Sequence, residues 1–165
     1  MQTVSKDEFR DGMRLLAGAV SVVATQGDAG KGGLTATAIC SVSDEPPTLL
    51  TCINNNNELV EIIKKNDLFS VNLLSSAMEA ISNRFAGFDK VPMEERFELG
   101  SWDFEKSTSP VLEGALVTFC CKVKEMAVSG THTVIFGEIH EVFTAEGQTP
   151  LLYFDRNYTS TSPKQ

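Results

Sequence analysis

Two long strand-like runs in the last third of the chain are joined by a very short connection. Residues 116–128 and 132–143 flank Ser129-Gly130-Thr131, a three-residue loop that contains a glycine. A loop of this length joins neighbouring antiparallel strands, because a parallel pair needs a crossover of a dozen or more residues. The chain is therefore predicted to contain a long β-hairpin, and the rest of the fold has to be arranged around it.

Shorter strands and a few short helices complete the predicted pattern. Strands are predicted over 20–25, 34–42, 48–54, 68–74 and from about 151. Helices are predicted over 5–17, 58–65 and from 76 to 87, with capping by Ser5 and Glu8, by Asn57, and by Ser76 and Glu79. Consecutive strands joined by hairpins, with short helices as inserts, favour an antiparallel barrel over a doubly wound parallel sheet.

Length and charge limit the classes of protein to consider. The 165 residues are predicted to form one domain over 1–158 with a frayed tail over 159–165. The formal net charge of −8 argues against a nucleic-acid partner, because phosphate backbones attract clustered Lys and Arg. No segment approaches the roughly 20 apolar residues that span a bilayer, and the first residues contain no apolar signal segment. We therefore expect a cytoplasmic protein with no membrane partner.

The cysteines and histidines do not form a pattern typical of a metal site. The cysteines are Cys40, Cys52, Cys120 and Cys121. They lack a Cys-x-x-Cys spacing and lie in apolar strand-like runs, which predicts buried, reduced thiols, with a catalytic thiol as the alternative. His132 and His140 would lie roughly 26 Å apart on one strand, too far to share an ion. No metal site is predicted.

Two loop segments are long or glycine-rich enough to be candidate functional elements. Residues 27–32 are rich in glycine but do not form a phosphate-binding P-loop, because Thr25 stands where the first glycine belongs and Gly32 replaces the required Ser or Thr. A flexible hairpin connection is predicted there. Segment 88–110 is predicted to be mostly irregular, and a loop of this length is typical of a lid or a partner surface.

Period-two alternation divides the strand predicted over 34–42 into two faces. One face is predicted to carry Thr35, Thr37, Ile39 and Ser41, and the other Leu34, Ala36, Ala38, Cys40 and Val42. A hydroxyl-rich face and a mostly small face allow a flat ring to approach the backbone, while hydroxyls and peptide N–H groups bind a polar edge or a phosphate. The alternative is an ordinary barrel strand whose threonines face solvent.

Five short segments carry a family resemblance. They are 33–47 (GLTATAICSVSDEPP), 52–54 (CIN), 84–87 (RFAG), 93–97 (MEERF) and 130–132 (GTH). In this order and spacing the chain resembles the short-chain flavin reductase components of two-component aromatic hydroxylases, a group that includes the reductase of 4-hydroxyphenylacetate 3-monooxygenase. The resemblance implies a mainly β, antiparallel Greek-key split β-barrel that binds flavin, with short flanking helices. It also implies a homodimer with each flavin near the subunit interface.

The resemblance assigns expected roles to individual residues. The flavin is expected to lie along Thr35, Ala36, Thr37, Ala38, Cys40, Ser41 and Val42. Its ring or ribityl chain is expected near Cys52, Ile53 and Asn54, and its nucleotide end near Arg84 and Phe85. His132 is expected beside the nicotinamide as the catalytic residue, and Tyr153 is a further cofactor contact. Asn57 stands where the relatives place a serine, so its amide is expected to donate to the flavin phosphate instead.

The activity that the resemblance implies is hydride transfer from C4 of the nicotinamide of NADH to N5 of FMN or FAD, with NADPH as the alternative donor. Reduced flavin is then expected to diffuse to a flavin-dependent oxygenase component that hydroxylates an aromatic substrate. Two alternatives stay open. One is a tightly bound flavoprotein oxidase or electron carrier of the same barrel class, and the other is a non-enzymatic dimeric β-barrel that binds a partner or stores a ligand.

Overall fold

A computed structural model describes residues 3–161. The helices are α1 Lys6–Met13, α2 Leu59–Asn66, α3 Glu79–Ala86 and α4 Met93–Arg96, and a 3₁₀ turn, Ser76–Met78, precedes α3. The strands are β1 Gly18–Ala19, β2 Ser21–Thr25, β3 Gly32–Ala36, β4 Ile39–Asp44, β5 Pro47–Asn54, β6 Leu68–Leu73, β7 Trp102–Asp103, β8 Val111–Leu112, β9 Val117–Ser129, β10 His132–Thr144, β11 Leu151–Phe154 and β12 Asn157–Ser160.

The main sheet has seven strands in the order β3-β2-β6-β9-β10-β5-β4. Every neighbouring pair in it is antiparallel. The predicted hairpin is confirmed as β9 and β10, in which Ser129 lies opposite His132 so that Gly130 and Thr131 form the loop. A second sheet contains β1, β11 and β12, and a third contains β7 and β8. The mainly β, antiparallel architecture predicted from the sequence is therefore confirmed.

The single strand predicted over 34–42 is wrong, because the chain turns sharply at Thr37 and Ala38. β3 ends at Ala36 on one edge of the main sheet, and β4 begins at Ile39 on the opposite edge. The Ile39 N–H donates to the Thr37 carbonyl at 3.0 Å, which closes a γ-turn, and the Cys52 N–H donates to the Ala38 carbonyl at 3.2 Å. Two residues thus connect the two edge strands, and we call this segment the crossing.

Apolar side chains fill both faces of the sheet. Along β2, Val22 belongs to one buried cluster and Val23 to the other, because successive side chains of a strand point to opposite faces. The Val23 cluster includes Ile63 of α2. The Val22 cluster includes Phe85 of α3, whose ring lies edge-on to Phe97 with the centroids 5.0 Å apart. The two helices are therefore fixed against opposite faces of the same strand.

One buried amide connects the middle of the main sheet to β8. Asn72 of β6 is fully buried, and its Oδ1 accepts from the Leu112 N–H at 2.9 Å and from the Thr118 hydroxyl at 2.8 Å. Its Nδ2 donates to the Val22 carbonyl at 3.3 Å and to the Ser70 hydroxyl at 3.0 Å. A buried amide with all its groups paired stabilises one arrangement of the strands.

Two of the three predicted N-terminal helix caps are present in the structure. The capping box of Ser5 and Glu8 is confirmed at the start of α1, which ends at Met13 and not at the predicted residue 17. Asn57 accepts the Leu59 N–H through its Oδ1 at 3.0 Å, so its predicted capping of α2 is confirmed. The predicted box of Ser76 and Glu79 is wrong, because the Ser76 hydroxyl bonds to the Thr149 hydroxyl at 2.8 Å.

The C-terminal segment is more ordered than predicted. β12 continues to Ser160 and pairs with β11, so the predicted frayed tail begins at least two residues too early. Asp155 and Arg156 adopt left-handed φ values of 48° and 65°, which form the tight turn between these strands. The rest of the predicted tail, 162–165, lies outside the described residues.

The cysteines differ in their burial. Cys120 and Cys121 are buried as predicted, and burial raises the pKa of both thiols, that of Cys121 to about 12. These two thiols therefore stay protonated and unreactive near neutral pH. The prediction is wrong for Cys40, which is exposed because it lies on the edge strand β4, while Cys52 is half-buried.

Within residues 3–161, no helix has the length and apolar character needed to cross a membrane. Across the same residues, His, Cys, Asp and Glu side chains do not gather in groups of three or more that are able to hold a metal ion.

Replacing Gly137 of β10 by alanine tests the packing at the centre of the sheet. An added Cβ would lie 2.8 Å from the Cys121 Cβ and would overlap the Phe69 ring, so we expect the free energy of unfolding to fall by roughly 1–3 kcal/mol. Urea unfolding measures this change. Gly12→Ala in α1 is the matched control, because its Cβ meets nothing within 4 Å. Equal midpoints for the two variants would contradict this packing.

Candidate functional site

A cavity of about 550 Å³ opens where the crossing meets the ends of β5 and α3; we call it the central cavity. Among the predicted site residues, it brings together Thr35, Ala36, Thr37, Ala38, Cys52, Ile53, Asn54, Asn57, Phe85 and His132. It is also lined by Leu34, Ala86, Gly87 and Arg96, which were not predicted as site residues. Segments that are far apart in the chain therefore meet here, as a binding site requires.

The crossing offers backbone groups to this cavity. Among the described residues, the N–H groups of Thr37 and Ala38 have no hydrogen-bond acceptor. Ala36 and Ala38 carry only methyl side chains, so a planar ligand can come close to the peptide groups. The Thr35 hydroxyl, by contrast, donates to the Ser82 carbonyl at 2.6 Å and fastens β3 to α3. The backbone, more than the hydroxyl face expected from alternation, is available to a ligand here.

His132 lies at the start of β10, directly opposite Asn54 in the register with β5. Its Nδ1 lies 2.9 Å from the Thr131 hydroxyl, and the ring is exposed at the cavity. The Asn54 Oδ1 accepts the Asn56 N–H at 2.9 Å, which shapes the turn after β5. The end of β5 and the tip of the hairpin therefore form one wall of the cavity.

Asn55 connects that turn to the hairpin tip on both sides of His132. Its N–H donates to the Thr131 carbonyl at 3.0 Å, and its Nδ2 donates to the Gly130 carbonyl at 3.2 Å. Its Oδ1 accepts from the Thr133 hydroxyl at 2.7 Å. Three hydrogen bonds thus hold the backbone that carries the histidine. No local sequence signal marks Asn55, because its partners lie on a distant strand.

Asn57 and Arg96 bring further polar groups to the cavity. Because the Asn57 Oδ1 caps α2, its Nδ2 is the group left to donate to a ligand. Arg96 donates from Nε to the Val91 carbonyl at 3.1 Å and from Nη1 to the Phe85 carbonyl at 3.4 Å. The matching segment 93–97 contained Arg96, but α4 was not predicted within the irregular segment, so nothing indicated which way the arginine faces.

Arg84 does not line the central cavity. Its Nε forms an ion pair with the Asp89 carboxylate at 2.7 Å, and its Nη1 donates to the Glu95 carbonyl at 3.4 Å. Both contacts connect the end of α3 to the segment that leads into α4. The residue predicted to contact the nucleotide end thus lies beside the site, in contact with its supporting loop.

A second cavity of about 620 Å³ adjoins the first and shares Thr35, Ala36, Thr37 and Ala86 with it. The predicted site residue Tyr153 lies here, with its ring centroid 5.3 Å from that of Tyr158. Phe88 and Arg156 lie on the same cavity. The two cavities form a continuous depression along the crossing.

The remaining predicted residues lie elsewhere. Cys40 and Ser41 line a third cavity of about 600 Å³. Met13, the last residue of α1, and Leu16, three residues further on, line the same cavity. Val42 is 45% exposed on β4. The reason is the sharp turn of the crossing, which directs β4 away from the central cavity after residue 38.

The chain is similar to several known proteins. Residues 13–162 match the profile of a family described as Flavin reductase like domain. FMN reductase (NADH) RutF of Stutzerimonas stutzeri is 42% identical over 159 residues, 96% of this chain and 90% of that protein. The 4-hydroxyphenylacetate 3-monooxygenase reductase component of Pseudomonas aeruginosa is 42% identical over 150 residues, 91% of this chain and 88% of that protein. The solved structure of flavin reductase PheA2 has a TM-score of 0.87 at 30% identity, covering 96% of this chain and 99% of that one.

Asn55→Ala tests the support of the hairpin tip. Loss of its two side-chain hydrogen bonds should lower the free energy of unfolding by about 1–2 kcal/mol and speed amide exchange over 129–133. Hydrogen exchange measured by mass spectrometry resolves this segment. The control is Asn56→Ala, because within residues 3–161 the Asn56 side chain makes no hydrogen bond. Unchanged exchange in the Asn55 variant would show that the tip does not depend on this side chain.

Proposed function

The chain belongs to the flavin reductase like domain family, and from this premise we propose that it transfers a hydride from NADH to FMN or FAD and supplies the reduced flavin to a flavin-dependent oxygenase. The family resemblance predicted from the sequence motifs is thereby confirmed. One relative is named as an NADH-dependent FMN reductase, and another is named as the reductase component of a monooxygenase with an aromatic substrate. The first name supports the proposed reduction of flavin by NADH, and the second supports the proposed supply of reduced flavin to an oxygenase.

The observation that carries the proposal is the central cavity along the crossing. The small side chains of Ala36, Ala38 and Gly87 leave room for a planar ring close to the backbone. The unpaired N–H groups of Thr37 and Ala38 can donate to the oxygen and nitrogen edge of such a ring. Hydride transfer itself is chemistry that nicotinamide and flavin supply, and the protein contributes binding, orientation and charge stabilisation.

These N–H groups suit a site at which negative charge develops. A bound flavin that accepts a hydride would gain negative charge at its carbonyl edge, and fixed N–H dipoles directed at that edge would lower the barrier without reorganising. Thr37 and Ala38 are held by the γ-turn and by the Cys52 hydrogen bond, so their N–H directions are set before a ligand arrives. We propose that the two N–H groups of the crossing stabilise the negative charge on the flavin.

His132 is proposed to contact the nicotinamide. It lies at the rim of the cavity, exposed, on a backbone that Asn55 holds on both sides. A second ring entering the cavity over a bound flavin would pass this side chain. His132 positions the donor in this proposal, and no proton transfer is required of it.

The same site is compatible with flavin that enters and leaves. The central cavity is open to solvent and is lined by a single cation, Arg96, among the described residues, so binding relies mostly on peptide groups and small side chains. A site of this kind binds a flavin with moderate affinity. Moderate affinity favours a flavin that acts as a substrate and diffuses to the oxygenase.

We further propose a Greek-key split β-barrel that functions as a homodimer. The two-residue connection between the edge strands supports the barrel, because it brings opposite edges of the main sheet together. α1 and the residues after it support the dimer: the helix buries none of its residues and leaves Phe9 57% exposed, and Leu16 beyond its end is 64% exposed. A second copy of the chain is the proposed cover for this apolar surface.

The cytoplasm is the proposed compartment. The four free thiols of the chain suit a reducing environment.

The reductase activity is tested by mixing the purified protein with NADH or NADPH and excess FMN or FAD. Oxidation of the nicotinamide, followed by its absorbance at a fixed wavelength, should be faster than in the protein-free mixture with at least one flavin. A rate equal to that of the protein-free mixture with every donor and every flavin would refute the enzyme proposal.

His132→Ala tests the nicotinamide contact separately. We expect the apparent KM for NADH to rise about fivefold, the equivalent of about 1 kcal/mol of lost contact, while the Kd for flavin stays nearly unchanged. His140→Ala is the control, because His140 is exposed on the same strand and lies near Glu138, outside the cavity. If His132→Ala leaves the NADH kinetics unchanged, the assigned role is wrong.

A further inference from the structure

We propose that Arg96, and not Arg84, binds the phosphate of the flavin nucleotide. The inference rests on the proposed function and adds a specificity: the site distinguishes FMN and FAD from riboflavin, which lacks the phosphate. Arg96 lines the central cavity at the end formed by Phe85, Ala86 and Gly87, and Arg84 does not line it.

The guanidinium of Arg96 is held in place by backbone and keeps donors free. Nε donates to the Val91 carbonyl and Nη1 to the Phe85 carbonyl, which uses two of its five N–H groups. Among the described residues, Nη2 has no hydrogen-bond acceptor. An arginine fixed in this way loses little side-chain entropy when it binds a ligand, and its free edge matches two oxygens of a phosphate.

The charge of Arg96 is also uncompensated. Within residues 3–161, no carboxylate lies within ion-pair distance of Arg96, whereas Arg84 pairs with Asp89 and Arg156 with Asp11. In a protein with a net charge of −8, a partly buried, unpaired cation in a cavity is the natural place for an anionic group. The Arg84 charge is already neutralised by a carboxylate, so a phosphate there would have to displace Asp89.

Gly87 gives a ligand access to this guanidinium. Its φ of +78° is left-handed, and a Cβ at this position would lie 3.2 Å from the Arg96 Nη2. With no side chain at 87, the Nη2 edge stays open on that side. Asn57, on the same cavity, contributes a second donor through its Nδ2. The cavity thus offers two side-chain donors, one from α4 and one from the start of α2.

Arg84 has a supporting role in this arrangement. Its Nη1 donates to the carbonyl of Glu95, the residue directly before Arg96, and its Nε holds Asp89 of the preceding loop. Arg84 therefore connects α3 to α4 and acts as a positioning residue for Arg96. Its removal is expected to weaken the binding of all flavins to a small and similar extent.

The experiment measures the Kd of FMN and of riboflavin by quenching of flavin fluorescence, in the absence of NADH. For Arg96→Gln we expect FMN binding to weaken about 10- to 100-fold and riboflavin binding to change less than about twofold. Arg96→Lys keeps the positive charge but lacks the planar guanidinium, so it should retain part of the preference for FMN over riboflavin. Lys124→Gln, which removes an exposed cation outside the cavity, should change neither Kd.

The outcomes separate the possible errors. Equal weakening of both flavins in Arg96→Gln, or a circular-dichroism spectrum of the unfolded chain in both Arg96 variants, would show that Arg96 only supports the fold and would overturn the proposal. Selective loss of FMN binding in Arg84→Gln and not in Arg96→Gln would overturn it as well, by assigning the phosphate to Arg84. If the unmodified protein binds neither flavin, the proposed function fails, and this inference fails with it.

Discussion

The hydrogen bond from the Cys52 N–H to the Ala38 carbonyl lies at the point where the two edges of the main sheet meet. β3 ends at Ala36 and β4 begins at Ile39, so the chain changes from one edge of the sheet to the other within Thr37 and Ala38. This geometry removes both residues from the strand ladders and leaves their N–H groups without acceptors among the described residues. The central cavity opens beside this short connection, and both of its residues line the cavity.

Much of the fold could be predicted from local signals. A glycine-containing loop between two long strands indicated the β9–β10 hairpin, and Ser5 and Asn57 indicated where two helices begin, because each satisfies free N–H groups of a first turn. Other features had no local signal. The alternation of small and hydroxyl side chains continues across Thr37 and Ala38 without a glycine or a proline, so periodicity could not reveal the turn. The strand beyond Tyr158 was missed because its turn uses Asp155 and Arg156 in a conformation more typical of glycine and asparagine.

The predicted site residues that line the central cavity are mostly those of the end of β3, the crossing and the end of β5, and Arg84 is not among them. The family motifs located the crossing, the end of β5 and His132, and all of these line one cavity. The resemblance of segment 84–87 suggested Arg84 as a contact of the nucleotide end, whereas Arg96 belongs to a four-residue helix inside a segment expected to be irregular. Which of two arginines faces a cavity depends on their partners: Asp89 pairs with one, and only peptide carbonyls hold the other. Pairing of this kind is decided by tertiary structure.

The long separation between β5 and β10 has a consequence for how the chain is made. Asn55 and Thr133 are hydrogen-bonded although 78 residues separate them. At ribosomal speeds of roughly 5–20 residues per second, β5 leaves the ribosome several seconds before its partner strand has been synthesised. During that interval the β4–β5 hairpin exposes Leu49 and Ile53, which are buried in the finished sheet. Until β10 has been made, these apolar side chains lack a partner strand, so the wall of the central cavity formed by the end of β5 and the hairpin tip is among the last parts of the protein to form.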